Sequence, residues 1–221
     1  MTPPQASAPP VRRPLTGGII VGAVLAVLAL VSVPVREGLF RWVAETAERS
    51  PLSPAVAAVA EYGLLVLVAI VGGVGLWAVL RDRAAVKTLV LAGVGVVVAY
   101  GLSEGIKLLV QEDRPCSVVD AVTVLACPGE GDWSWPSNHA TLAGAAAAAI
   151  AVTAPRLLAV VAPVALLVAG ARVAGGVHYA HDVLSGLALG TLVVVLVVTV
   201  GRHARAGQHQ PSPAPKGTHG G

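Results

Sequence analysis

Six long apolar stretches run along the chain, at residues 17–35, 55–80, 88–106, 140–154, 157–174 and 183–200. A membrane-spanning helix needs ~20 mainly apolar residues, so six such runs with short connections account for most of the 221 residues. A barrel reading fails, because the runs lack period-two alternation and exceed barrel-strand length. In lipid, a lone segment must satisfy its own backbone groups, and a helix does so. The expected fold class is therefore all-α, an integral membrane bundle of six transmembrane helices. Charged residues make up only 12% of the chain, about half the ~25% typical of soluble domains. Disorder of the whole chain and a disulfide-rich secreted scaffold are both excluded, the latter because only two cysteines are present.

The ends differ from the middle. Residues 1–16 hold five prolines and two arginines, and residues 206–221 are rich in Gly, Pro, Gln and His. Both read as disordered tails flanking a membrane domain at 17–205. His209 and His219 are isolated in the second tail and do not make a metal site. Arg12-Arg13 before an apolar run fits the start of a signal peptide. The run is longer than a signal core, however, and Val-Pro-Val-Arg is a poor cleavage site, so a retained span is expected.

Lys and Arg distribution sets orientation. With the N-terminus inside, nine of the fifteen basic residues fall on inner segments and six on outer ones. Asp82 is inside, and the other eleven of twelve acidic residues lie outside or near that face. Both termini are thus expected in the cytoplasm of a multi-pass cell-membrane protein, with 107–138 and 172–182 outside. The basic pI reports this orientation and not nucleic acid, since no aromatic-interleaved basic patch exists. Cys116 and Cys127 share the outer segment, where disulfides persist. They are expected to be bridged, which in the chain-entropy model is worth ~3 kcal/mol for a loop of this size. Unpaired loop cysteines are the alternative, and spacing alone does not decide between them.

Ionisable residues at span ends are costly and usually functional. They cluster at three places. Lys107 and Arg114 are seven residues apart, two helical turns with ~20° of drift, so on a continuous helix they would share a face and converge on one anion. Pro115 would help to end that helix. As separate residues, both would be ordinary snorkelling anchors. Next comes Trp135-Pro136-Ser137-Asn138-His139, just before the fourth span. Ser and Asn cap helices, a helix start offers free N–H groups to an anion, and His139 can move a proton near neutral pH. Alone, this would be a plain cap.

The third cluster holds Arg172, His178 and Asp182. The last two are four apart and meet on one helical face, so Asp182 can orient His178 and stabilise its imidazolium. Gly175-Gly176 lets the chain turn between Arg172 and His178. His181 neighbours Asp182 in sequence and is expected to face away from it and be dispensable. Together the clusters supply three cations, a helix start, two histidines and a carboxylate: an anion site with a nucleophile and an acid. No Walker loop, Mg²⁺ carboxylate array or His-x-x-x-His zinc pair appears, so metal-free, cofactor-free chemistry is expected. The competing class is a non-catalytic transporter or anion-binding protein retaining the phosphate site. It would be favoured by loss of either histidine or Asp182, and all three are present.

Taken together, these motifs closely resemble the type 2 phosphatidic acid phosphatase superfamily of membrane lipid phosphatases, which share a site with vanadium haloperoxidases. The family's Lys, six residues, Arg-Pro motif corresponds to Lys107 through Arg114-Pro115. Its Pro-Ser-Gly-His is similar to Pro136-Ser137-Asn138-His139. Its Ser-Arg, five residues, His, three residues, Asp motif corresponds to Ala171-Arg172 through His178 to Asp182. The resemblance covers the chain from the third span onward. Asn138 stands where the family has glycine, so its side chain would be expected to narrow the phosphate cradle. Ala171 stands where the family has serine and receives no role. The resemblance implies that His178 attacks phosphorus to form a phosphohistidine, that Asp182 orients it, and that His139 protonates the leaving oxygen and then activates water. It implies that Lys107, Arg114, Arg172, Ser137 and the N–H of Asn138 hold the phosphoryl oxygens, where transition-state charge gathers. The implied substrate is a lipid phosphate or diphosphate, such as undecaprenyl diphosphate, phosphatidate, phosphatidylglycerophosphate or a prenyl-phosphoribose phosphate. Oligomeric state is left open.

Overall fold

The structure, a computed structural model, describes residues 12–207. The expected tail residues 1–11 and 208–221, including His209 and His219, lie outside the described residues. Within them, all regular structure is helical: α1 Arg12–Ser32, α2 Arg36–Arg49, α3 Ser53–Arg81, α4 Arg83–Val110, α5 Pro115–Val118, α6 Asn138–Thr153, α7 Leu158–Ala174 and α8 Ala180–Gly207. Residues 12–16, expected in a tail, are the first turns of α1. The apolar run behind them lets the helix extend back over its polar start.

Among the described residues, five helical segments are long and apolar enough to cross a membrane: Leu15–Arg49, Ser53–Arg81, Ala85–Val118, Pro155–Ala174 and Ala180–Arg205. The remaining apolar run forms α6, only 16 residues long. It is the core of the bundle and not a lipid-facing element. Ala140, Ala143, Ala145, Ala149 and Ile150 are all buried, against α8 on one side and α3 and α7 on others. Small side chains let backbones approach closely. A Cβ on Gly186 of α8 would lie 2.6 Å from the Ser137 carbonyl oxygen, and one on Gly144 of α6 would lie 2.9 Å from Leu187 Cα. These contacts lock the start of α6 beside the start of α8. Large apolar side chains such as Leu30, Leu65, Val97 and Leu196 face outward.

Two helices lie outside the six apolar runs: the four-residue α5 and α2, formed by the charged residues 36–49 between the first two runs. Phe40 and Ala44 bury one narrow stripe of α2, and its charges bind the loops at that end of the bundle. Arg36 donates to Glu112 at 2.9 Å and Arg41 to the Asp120 carbonyl at 2.7 Å. Arg36 also sits 5.3 Å over the Tyr179 ring, and Phe40 packs edge-on to that ring at 5.7 Å. Cys116 and Cys127 are joined by a disulfide, with Cα atoms 5.7 Å apart.

Candidate active site

The three polar clusters meet at the end of the bundle that α2 covers. Helix α4 carries Lys107 in its last turn and stops at Val110. Gln111 then takes a left-handed φ of 52°, which breaks the helix. Arg114 therefore does not share a helical face with Lys107, contrary to the spacing argument. The chain leaves the helical path there, and Arg114 sits at the N-cap of α5. The two cations converge all the same. Arg114 Nη2 lies 2.8 Å and Lys107 Nζ 3.7 Å from the same carboxylate oxygen of Asp132. Both cations are almost fully buried, while Asp132 is about half exposed on a loop after Gly131. Burial alone would raise the Asp132 pKa, but the Arg114 hydrogen bond and the charges of Arg114 and Lys107 win and hold it below the usual carboxylate value.

Arg114 also defines His178. Its Nη1 lies 2.9 Å from the Val177 carbonyl oxygen and 3.0 Å from His178 Nε2. An arginine can only donate, so Nε2 is the unprotonated nitrogen and Nδ1 carries the proton. Nδ1 lies 3.3 Å from Asp182 Oδ2. That oxygen also accepts from Ser134 Oγ at 2.5 Å and from the Tyr179 N–H at 2.8 Å. Ser134 Oγ in turn lies 3.2 Å from His178 Nδ1. Burial pushes the His178 pKa down to about 4, against the opposing bond and charge of Asp182. The ring is thus neutral, its free nitrogen aimed at the cations. A left-handed glycine turn brings it there: Gly176 has φ 81°, and a Cβ at that position would strike Thr123.

Ser137 caps α6 and is buried, and Asn138 and His139 open the helix. The Asn138 side chain turns to α4, accepting from Ser103 Oγ at 2.7 Å and donating to Glu104 Oε1 at 2.5 Å, because those partners satisfy both ends of its amide. His139 and Arg172 line one cavity of about 440 Å³ together with Glu61 and Val177. Arg114 and Asp132 line a separate cleft of about 470 Å³. Among the described residues five buried side-chain atoms have no hydrogen-bond partner in the protein, and Ser137 Oγ and Arg172 Nε are the two from the expected phosphate-binding set. Most buried polar groups are paired with protein or with ordered water.

His181 departs from expectation. It does not face away from Asp182: Nε2 lies 3.1 Å from Asp182 Oδ1 and 3.2 Å from Glu112 Oε2. The ring stacks on Tyr179 at 5.4 Å, which folds it back across the first turn of α8, where no preceding turn blocks it. The Glu112, His181 and Asp182 ligand atoms lie within 4.8 Å of one another, close enough to hold a cation. Ser134, Asp132 and Glu112 were not singled out from the sequence; they lie in loops where no spacing signal marks them.

A helical membrane protein with a buried His–Asp pair, whose free imidazole nitrogen faces clustered cations, is the class that fold and site define. The chain belongs to the PAP2 superfamily, whose sequence model matches residues 88–205. It is 39% identical over 113 residues to a decaprenylphosphoryl-5-phosphoribose phosphatase of Mycobacterium tuberculosis, covering 50% of this chain and 60% of that protein. It is 33% identical over 105 residues to an undecaprenyl-diphosphatase of Sulfolobus acidocaldarius, covering 47% of this chain and 50% of that one. The matches thus span only about half to three-fifths of these relatives' length. In fold, the chain is similar to a crystal structure of a transmembrane PAP2-type phosphatidylglycerolphosphate phosphatase from Bacillus subtilis, with a TM-score of 0.53, 21% identity, and coverage of 89% of this chain and 98% of that one.

Proposed function

We propose that this protein is a membrane phosphatase that hydrolyses a lipid phosphate or diphosphate through a phosphohistidine. The observation that carries this reading is the orientation of His178: Nδ1 toward Asp182, and Nε2 toward the guanidinium of Arg114. In the proposed reaction His178 Nε2 attacks phosphorus, an N–P bond forms and the P–O bond to the lipid breaks. His139 gives its proton to the leaving oxygen. Asp182 stabilises the imidazolium that forms during attack. A water, deprotonated by His139, then attacks phosphorus, the N–P bond breaks, and inorganic phosphate leaves. Lys107, Arg114, Arg172, Ser137 Oγ and the Asn138 N–H hold the phosphoryl oxygens. The two unpartnered donors, Ser137 Oγ and Arg172 Nε, support that assignment. The cations supply the charge stabilisation that phosphoryl transfer needs, and the reading requires no metal.

In the proposed topology α6 is a sixth, short span, both termini are cytoplasmic, and the site opens at the outer face. The Lys and Arg bias of the loops supports it. Phosphate release by purified protein in detergent, over lipid phosphates and diphosphates with and without chelator, tests the function. Release that survives chelator and disappears in His178→Asn, with an acid-labile and base-stable phosphoenzyme in the parent, is the expected result. Unimpaired turnover in His178→Asn overturns it.

A further inference from the structure

The cavity shared by His139 and Arg172 also holds a carboxylate that the reaction above does not use. Glu61 is the only charged residue between Ser53 and Leu80 of α3. A charge inside an otherwise apolar span is costly and marks a functional position by default. Here it lines the same 440 Å³ cavity as His139 and Arg172. The remaining walls, Ala57, Ala60, Leu125, Ala126 and Val177, are apolar. The loop part of the wall is fixed, since the Leu125 N–H donates to the Gly175 carbonyl at 3.0 Å and the neighbouring Cys127 is disulfide-bonded.

We infer that this cavity receives the leaving group and that Glu61 selects a phosphate monoester whose alcohol carries a free hydroxyl near the ester oxygen, against a diphosphate. The inference rests on the phosphatase reading and goes one step further. The group that protonates the leaving oxygen must touch it, so the leaving group lies where His139 lies. A hydroxyl there donates to Glu61. If the substrate is a diphosphate, the leaving group is itself a phosphate, and its negative charges face the Glu61 carboxylate at the exposed rim of the cavity. Arg172 does not cancel that repulsion, because it is engaged with the transferred phosphoryl group. A polyol phosphate, glycerol- or sugar-like, is therefore the favoured headgroup. The bonds made and broken are unchanged: the P–O ester bond breaks, the proton comes from His139, and Glu61 only accepts a hydrogen bond.

The test compares two lipids of matched chain, one ending in a glycerol phosphate monoester and one in a diphosphate, on parent, Glu61→Gln and Glu61→Leu. The readout is the ratio of the two kcat/KM values within each protein. The parent should prefer the monoester at least 10-fold, since a hydrogen bond to a charged group is worth about 10- to 100-fold. Glu61→Gln keeps a hydrogen-bond acceptor but removes the charge, so diphosphate turnover should rise. Glu61→Leu should also lose monoester turnover by about 10- to 100-fold, inverting the preference. A parent that prefers the diphosphate overturns the inference, as does a ratio unchanged within twofold in both variants or loss of both activities in both. Failure of the phosphatase reading looks different: the parent then releases no phosphate from either lipid or from a small aryl phosphate.

Discussion

In the proposed site, where Lys107 and Arg114 hold the phosphoryl group, the Asp132 carboxylate competes for both cations. It holds Arg114 at 2.8 Å and Lys107 at 3.7 Å. An incoming phosphoryl group must displace it or share both cations. Asp132→Asn leaves the loop's main-chain bond, from Arg114 Nε to the Asp132 carbonyl at 2.7 Å, and removes only the competing charge. A hydrogen bond between charged groups contributes ~1.5–3 kcal/mol. Asp132 is 52% exposed, so solvent screens much of this and about 1 kcal/mol remains. Inorganic phosphate or vanadate should therefore inhibit the variant about fivefold more tightly, a ratio that follows from ~1.4 kcal/mol per decade. The assay is the inhibition constant in detergent at fixed ionic strength, supported by calorimetric titration of the ligand. Since Asp132 is held ionised, the difference should persist through the neutral range. An inhibition constant that is unchanged or weaker in Asp132→Asn would refute the idea that the carboxylate stands in for phosphate.

Ser134→Ala removes the 2.5 Å bond to Asp182 Oδ2 and the contact with His178 Nδ1. It should lower kcat about tenfold with KM little changed, because the serine positions the His–Asp pair and does not hold phosphate; a fall confined to KM would contradict this. His178 also has a stability signature. Its pKa falls from 6.5 in the unfolded chain to about 4 in the folded protein, so the unfolded state takes up the proton first as pH drops. The stability this group contributes is complete above 6.5 and is lost as pH falls toward about 4. Thermal unfolding in detergent should show that acid loss, and His178→Gln should flatten it; an identical pH slope in the variant would exclude the effect.

The sequence alone carried the membrane character of the chain, because a long apolar run has one stable outcome in lipid. It also carried the residues of the three clusters and the pairing of His178 with Asp182, although not its cause: α8 begins only at Ala180, so the two do not share a helical face, and Asp182 reaches back to the turn that holds His178. Lys107 and Arg114 do come together, on the Asp132 carboxylate, but not on one helical face: the helix breaks at Gln111, which their spacing does not show. The 36–49 helix lay outside the apolar runs because its apolar stripe is only Phe40 and Ala44, too narrow to see without the surface it packs on. Asn138 had no visible partner until α4 brought Ser103 and Glu104 against it. Ser134, Asp132 and Glu112 lie in irregular segments, where no period marks which side chain points inward. They reach the site through contacts with residues up to 69 positions distant, His181 with Glu112 among them. Local periodicity encodes neighbours within a turn or two, whereas the surroundings of His178 are set by Arg114 and Ser134, which come from the segment between α4 and α6 and reach it only in the folded chain.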